Sequence, residues 1–163
     1  MVLTHSRELV FMNNLDRPTR MEFSAFQSFV RENAEWFRGV HAESLASLER
    51  AEAELDCTLP ASLRWLLTEW GYSGACGISS LSETVSVTLR CRGTLGLPKP
   101  YVVLNDWGDA GVVYLDTRSG TVTWTDTHGL QRLVDRLTPE DADTFPDYPA
   151  WAASRLNVEK TEV

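Results

Sequence analysis

The chain has 163 residues, of which 43% are hydrophobic and 10% aromatic, and its formal net charge is −8 at pH 7. This length predicts one domain with a packed core, and the composition argues against intrinsic disorder. The acidic balance disfavours direct nucleic-acid binding, which requires a basic patch. It is compatible with a basic protein partner.

The three cysteines, Cys57, Cys76 and Cys91, are widely separated and form no CxxC or Cys/His cluster. We therefore expect free thiols and no zinc site or other cofactor. An odd number of cysteines indicates a reducing cytoplasm. The chain has no apolar run of the ~18 residues that a membrane helix needs, so we expect no membrane segment. A basic segment followed by an apolar one is also missing at the start, so we expect no signal peptide.

The N-terminal half of the chain is predicted to be helical. Residues 1–22 are expected to be irregular, with Leu9–Met12 either a short strand or a segment packed on the body. Phe23–Phe37 has a helical apolar stripe, with Ser24 as its cap. Ser44–Gly71 then shows two amphipathic helices joined by a corner, with Pro60 at the first position of the second helix.

The next part of the chain is predicted to form strands. Thr84–Cys91 alternates apolar and polar residues, which predicts a half-buried strand. Tyr101–Leu104, Val112–Leu115 and Thr121–Thr125 are the following strands. Asp116–Gly120 is a hairpin turn between the last two. Consecutive strands joined by hairpins form an antiparallel meander.

The C-terminal part returns to helical spacing. The residues with this spacing are Leu130, Leu133, Val134 and Leu137. Thr138-Pro139-Glu140 predicts a further helix start, and Tyr148–Leu156 a last helix before a frayed tail at 157–163. We thus predict one α+β domain over residues 1–163, with its core at 23–156. Its single antiparallel sheet has one face covered by the N-terminal helices, and further helices lie at the C-terminus.

Two segments resemble the SUKH superfamily, whose founding members include a yeast cell-wall assembly regulator. The first is the pattern L-x(n)-AEAEL-x3-LP-x2-L-x2-LL-x3-G over Leu45–Gly71. The second is YVVLNDWGDAGVVYLDTRSGTVTW, over Tyr101–Trp124, which is similar to the family's strand, Gly-Asp loop, strand, turn and strand. Leu81-Ser82-Glu83 lies where members often have a Leu-x-x-Glu element. Residues 1–43 lie outside this resemblance.

The resemblance implies a binding module and no catalytic activity. Many bacterial SUKH-like proteins are immunity proteins that bind and block a polymorphic toxin, often a nuclease or a deaminase. The expected partner is therefore a cognate toxin in the cytoplasm of the producing cell, with no direct contact to nucleic acid. The alternative is a regulatory or scaffold protein of the same fold. Eukaryotic members of that type tend to have long disordered extensions. We expect none here and therefore rank this alternative second.

The first candidate for partner binding is the loop Asp106-Trp107-Gly108-Asp109. Its two carboxylates can pair with Lys or Arg of a partner, and Trp107 can serve as an interface anchor. The alternative is an ordinary loop whose tryptophan packs on the sheet. Further candidates are Glu83 and Asp126, near strand ends, and Tyr72, which is either exposed or part of the core.

The sequence contains no motif for catalysis. His5, His41 and His128 belong to no nucleophile motif, although His128 lies close to Asp126. The spacing of the aspartates between Asp106 and Asp126 fits no calcium-binding loop of the EF-hand type. A glycine-rich phosphate loop is also missing from the sequence. We therefore expect no enzymatic activity and no metal.

Overall fold

The computed structural model describes residues 19–138 and 142–162. Within them it contains seven α-helices and one four-stranded antiparallel sheet, so the predicted α+β class is confirmed. The helices are α1 (Phe23–Glu32), α2 (Ala34–Phe37), α3 (Leu45–Leu55), α4 (Ala61–Glu69), α5 (Leu81–Leu95), α6 (Gly129–Val134) and α7 (Tyr148–Thr161). The strands are β1 (Tyr101–Asp106), β2 (Val112–Asp116), β3 (Val122–Thr125) and β4 (Asp143–Phe145). Leu9–Met12 and residues 139–140 lie outside the described residues.

The first predicted helix is interrupted. Asn33 lies between α1 and α2 with φ −114° and ψ 32°, and its Nδ2 donates to the carbonyl of Phe29 at 2.8 Å. This local bond competes with the helical ladder, as Asn side chains commonly do. The proposed cap at Ser24 is wrong, because α1 begins at Phe23 after Glu22 and has no side-chain cap.

The helix pair at residues 44–71 is present as predicted. Ser44 Oγ accepts from the Ser47 N–H at 3.1 Å, which caps α3. Pro60 directly precedes α4, one residue earlier than predicted. Gly71 follows α4 with φ +76°, the conformation that favours glycine after a helix. Both helices contribute fully buried leucines to the core: Leu48, Leu55, Leu63, Leu66 and Leu67.

The strand predicted at Thr84–Cys91 is wrong, because this stretch lies inside the long helix α5. Ser80 Oγ accepts from the Glu83 N–H at 3.1 Å and starts the helix, and Gly96 with φ +76° ends it. The buried residues follow helical spacing: Leu81, Thr84, Val85, Thr88 and Cys91. The strand pattern counted only apolar residues and therefore missed the two buried threonines.

Helix α5 lies against the edge of β1, where a further strand would pair. Thr88 Oγ1 accepts from the Val103 N–H at 2.9 Å, and Thr84 Oγ1 donates to the Leu104 carbonyl at 3.1 Å. These hydroxyls satisfy backbone groups of β1 that pair with no strand among the described residues. The helix thereby covers a sheet edge that would otherwise be open to association with other chains.

Replacing Thr88 with Val should destabilise the fold by about 1–3 kcal/mol, because the Val103 N–H would lose its buried acceptor without a substitute. Thr88 is fully buried, so water cannot replace the bond. Thr94→Val is the matched control, since the hydroxyl of Thr94 is exposed and bonds within its own helix. Urea denaturation should separate the two variants. Equal stability of Thr88→Val and wild type would show that the edge contact contributes nothing.

The sheet has the order β1-β2-β3-β4, in which every neighbouring pair is antiparallel. The predicted strands at 101–104, 112–115 and 121–125 and the turn before Gly120 (φ +82°) are confirmed. The register shifts between Val103 and Asn105, which marks a β-bulge near the end of β1. The short strand β4 was not predicted, because three largely exposed residues give no periodic signal.

Both faces of the sheet are buried, so the prediction of one covered face is wrong. Alternate residues of β1 and β2 belong to the main core, formed with α1, α3, α4 and α7. The other face packs in a second cluster with Cys91, Leu97 and Leu130. Val103 and Tyr114 point to this second face, opposite their neighbours in sequence. Helices therefore lie on both sides of the meander.

The last helix, α7, is longer than predicted. Asp147 Oδ1 accepts from the Ala150 N–H at 2.8 Å and caps its start. The helix runs to Thr161, so the prediction of a frayed tail is wrong for residues 157–161. These residues are mostly exposed and polar, and α7 is stabilised there by an ion pair between Arg155 and Glu159 at 3.2 Å. No helix in the described part of the chain is long and apolar enough to cross a membrane.

Candidate partner-binding surface

The β1–β2 loop lies at one end of the sheet and is held by its own hydrogen bonds. The Trp107 N–H donates to the Gly111 carbonyl at 2.9 Å, and the Gly108 N–H donates to Asp106 Oδ1 at 2.9 Å. The side chains of Asp106 and Asp109 are exposed. The loop therefore presents two carboxylates to solvent from a fixed backbone.

Trp107 combines the two alternatives that the sequence left open. It is half-buried and packs against the main core, with its ring centroid 5.4 Å from that of Trp124. The guanidinium carbon of Arg155 lies 5.0 Å from the same ring, within range of a cation–π contact. Trp124 in turn donates from Nε1 to the Ala110 carbonyl at 3.1 Å. The indole of Trp107 is thus fixed in orientation while part of it remains accessible.

Gly111 is required by this packing. Its φ is +109°, and a Cβ there would lie 2.5 Å from Trp124 Nε1 and 2.7 Å from the Thr125 carbonyl oxygen. Any side chain would force the loop away from β3. The tight contact holds the loop against Trp124 and the end of β3.

The loop at Tyr72–Ser80 borders the β1–β2 loop from the side of the helices. Asn105, just past the bulge, donates from Nδ2 to the Gly77 carbonyl at 3.1 Å. Arg155 donates from a terminal nitrogen to the Gly74 carbonyl at 2.6 Å. Together these side chains line an open groove of about 400 Å³, which also contains Tyr72 and Trp107. Two of the predicted site residues therefore share one groove.

The hydroxyl of Tyr72 has internal partners. It donates to Glu43 Oε1 at 2.6 Å and accepts from the Leu81 N–H at 2.8 Å, at the start of α5. Burial, together with the hydrogen bond to Glu43, raises the pKa of Tyr72 well above its usual value. Tyr72 thus joins the loop after α4 to the start of α5, and only its partly exposed ring can contact a partner.

Replacing Tyr72 with Phe should cost about 1–3 kcal/mol of stability, because it removes one partner of the Leu81 N–H and one of Glu43. Tyr101→Phe is the matched control, since among the described residues the Tyr101 hydroxyl accepts only an exposed hydrogen bond from Arg118 at 3.2 Å. Thermal unfolding followed by circular dichroism measures both. Equal melting temperatures of Tyr72→Phe and Tyr101→Phe would contradict a structural role for the Tyr72 hydroxyl.

Glu83 and Asp126 lie near the same end of the sheet. Glu83 is exposed in the first turn of α5, and it borders a narrow cleft together with Asp106. Strands β1 and β3 run in the same direction, so Asp126 leaves the sheet at the end where Asp106 does. Asp126 is exposed, and its Oδ1 accepts from the His128 N–H at 2.9 Å. We call Glu83, Asp106, Asp109, Asp126 and the groove beside Trp107 the sheet-end surface.

Sequence reasoning missed the residues that support this surface. Arg155 contacts Trp107 and Trp151, and Trp124 contacts Trp107. A signal existed for Arg155, because it lies one helical turn after Trp151 in the last predicted helix. Its contact with Trp107 joins parts of the chain that are distant in sequence, so no local pattern indicates it.

The described residues offer no arrangement for catalysis by a metal. Within them no group of three or more His, Cys, Asp or Glu residues is placed to hold an ion. The contact between Asp126 and His128 involves the backbone N–H of the histidine and leaves its ring out.

A family model matches residues 24–148 of the chain: SUKH_5, described as SMI1-KNR4 cell-wall. No curated protein matches the chain significantly. The match includes both segments that carry the resemblance, Leu45–Gly71 and Tyr101–Trp124, and it extends the family domain back to α1. It also contains the β1–β2 loop and all of the predicted site residues. The chain therefore belongs to the SUKH superfamily.

Proposed function

We propose that this chain is an immunity protein that binds a cognate bacterial toxin domain and blocks its active cleft. The toxin is a nuclease or another enzyme that acts on nucleic acid, and binding takes place in the cytoplasm of the producing cell. Membership of the SUKH superfamily is compatible with this function. The protein acts by occlusion, without catalysis and without a cofactor.

The observation that supports the proposal best is the β1–β2 loop, where exposed Asp106 and Asp109 flank a fixed Trp107. A cleft that binds phosphates is lined by Lys and Arg, which pair with such carboxylates. Tryptophan is enriched among the residues that dominate binding energy in interfaces. The net charge of −8 adds long-range attraction toward a basic cleft.

The rigidity of the loop favours tight binding. A binding surface that is already ordered loses less conformational entropy on association. The contacts of Trp107 with Trp124 and Arg155 provide this order in the free protein. Glu83 and Asp126 extend the negative surface on either side of the loop.

Calorimetric titration with the toxin domain encoded in the same gene neighbourhood tests the proposal. We expect stoichiometric binding and, in an activity assay of the toxin, inhibition that follows the bound fraction. The absence of binding at micromolar concentrations would refute the immunity function. Binding without inhibition would refute occlusion of the cleft.

A further inference from the structure

A second groove, formed by other residues, has the opposite charge. It has a volume of about 500 Å³ and contains two arginines, Arg31 and Arg38, against one carboxylate, Glu69. The remaining lining includes two tryptophans, Trp65 and Trp70. A locally positive site in a chain with a net charge of −8 is unexpected on composition alone.

Both arginines are exposed and have no carboxylate partner among the described residues. Other arginines of the chain do pair: Arg64 with Glu52 at 3.2 Å, and Arg118 with Asp116 at 3.1 Å. The guanidinium groups of Arg31 and Arg38 are thus available to an external anion. Guanidinium binds phosphate and carboxylate oxygens through paired donors.

The tryptophans of this groove present partly accessible ring surfaces. Trp65 is held edge-on by Phe23 and Phe26, at centroid distances of 6.0 and 6.2 Å. The guanidinium carbon of Arg31 lies 6.0 Å from the ring centroid of Trp65. Because Arg31 already lies over the Trp65 ring, Trp70 is the indole on which a planar aromatic group that also carries a negative charge can stack.

The backbone beneath the groove is already ordered. The Gly39 N–H donates to the Trp70 carbonyl at 3.1 Å, and Val40 and Tyr72 exchange hydrogen bonds of 3.0 and 2.8 Å. A Cβ on Gly39 would lie 2.4 Å from the backbone carbonyl oxygen of Tyr72. Only glycine therefore allows the backbone at residue 39 to lie this close to the backbone at residue 72. Arg38 and Trp70 are therefore held on adjoining, fixed segments.

We propose that this groove binds a small aromatic anion of the nucleoside monophosphate class. Arg31 and Arg38 bind the phosphate, and the base stacks on an indole. The volume lies in the range of small-molecule sites, which is roughly 300–1,000 Å³. An acidic peptide is the less favoured occupant, because the N–H and the carbonyl of Val40, beside the groove, both bond to Tyr72 and are not free for main-chain recognition.

Titration of the purified full chain with AMP, GMP, CMP and UMP, followed by tryptophan fluorescence and calorimetry, tests the proposal without a toxin. We expect saturable binding of at least one nucleotide below ~1 mM. The nucleoside of that nucleotide and inorganic phosphate should each bind at least about tenfold more weakly, because the first lacks the phosphate and the second lacks the base. The double variant Arg31→Ala/Arg38→Ala should reduce affinity about tenfold or more.

Arg90→Ala is the matched control, since Arg90 is also exposed and without an ion pair among the described residues, but lies on α5. It should leave affinity unchanged. The proposal is overturned if no nucleotide binds, if Arg90→Ala weakens binding as much as the double variant, or if only an acidic aromatic peptide such as acetyl-EWDEF-amide binds. Unchanged melting temperatures of the variants show that any loss of affinity arises in the groove. None of these outcomes depends on the immunity function.

Discussion

Reversing the charge of Asp106 and Asp109 to Lys is expected to weaken toxin binding by about 100-fold or more, because like charges facing each other across an interface cost several kcal/mol. Both side chains are exposed, Asp106 at the end of β1 and Asp109 in the β1–β2 loop. Most of the change should appear in the association rate, which steering by charge increases. Biolayer interferometry at several salt concentrations measures both rates, and the difference from wild type should shrink as salt rises.

The matched control is Glu35→Lys/Glu49→Lys, which changes the net charge equally on exposed residues of α2 and α3. It should alter binding only slightly. Asp106 also accepts a hydrogen bond from the Gly108 N–H, so its replacement changes both the charge and the stability of the loop. The single variant Asp109→Lys changes the charge and keeps this bond. If the control pair weakens binding as much as the loop pair, the net charge drives association and the loop has no special role.

Replacing Gly77 with Ala is expected to destabilise the protein by about 2–5 kcal/mol, through backbone strain together with overpacking in the core. Its φ is +76°, and a Cβ would lie 2.2 Å from the ring of Trp151, which is fully buried. Displacement of Trp151 would also disturb Arg155, which contacts this ring and that of Trp107. Guanidinium denaturation measures the loss, and toxin binding should fall at temperatures near unfolding.

Gly96→Ala isolates the backbone part of this effect. Gly96 has the same φ of +76°, but nothing lies within 4 Å of a Cβ placed there. It should cost about 1–2 kcal/mol, the usual penalty for alanine in the left-handed region. Equal losses of unfolding free energy in Gly77→Ala and Gly96→Ala would contradict the close packing of Trp151 on the 72–80 loop.

Sequence periodicity predicted the helix pair α3–α4 well, because its buried leucines recur at helical spacing, Ser44 caps the start of α3 and Gly71 follows α4. It failed at α5, where Val85 and Cys91 fit both a strand and a helix. What decides between them is the hydrogen bonding of Thr84 and Thr88 to β1, a tertiary contact. A local sequence pattern cannot indicate this contact, because β1 follows α5 in the sequence and the two meet only in the folded protein.

The candidate surface was predicted in part for a similar reason. The Asp-Trp-Gly-Asp loop is visible in the sequence as a turn with charges and an aromatic residue. The parts that hold it, Trp124 and Arg155, come from β3 and α7 and meet Trp107 only in the folded protein. Tyr72 was ambiguous in the sequence because a tyrosine can be both packed and polar, and the structure shows both properties.

Hydrogen–deuterium exchange of the chain, alone and with the toxin domain, is the most direct test that the protein binds a toxin through the sheet-end surface. We predict that the toxin slows exchange in the β1–β2 loop at 106–111 and in the neighbouring 72–80 loop. Helices α3 and α4, which supply core leucines, should change little. Exchange that is identical with and without the toxin, or protection confined to those helices, would contradict the proposed binding surface.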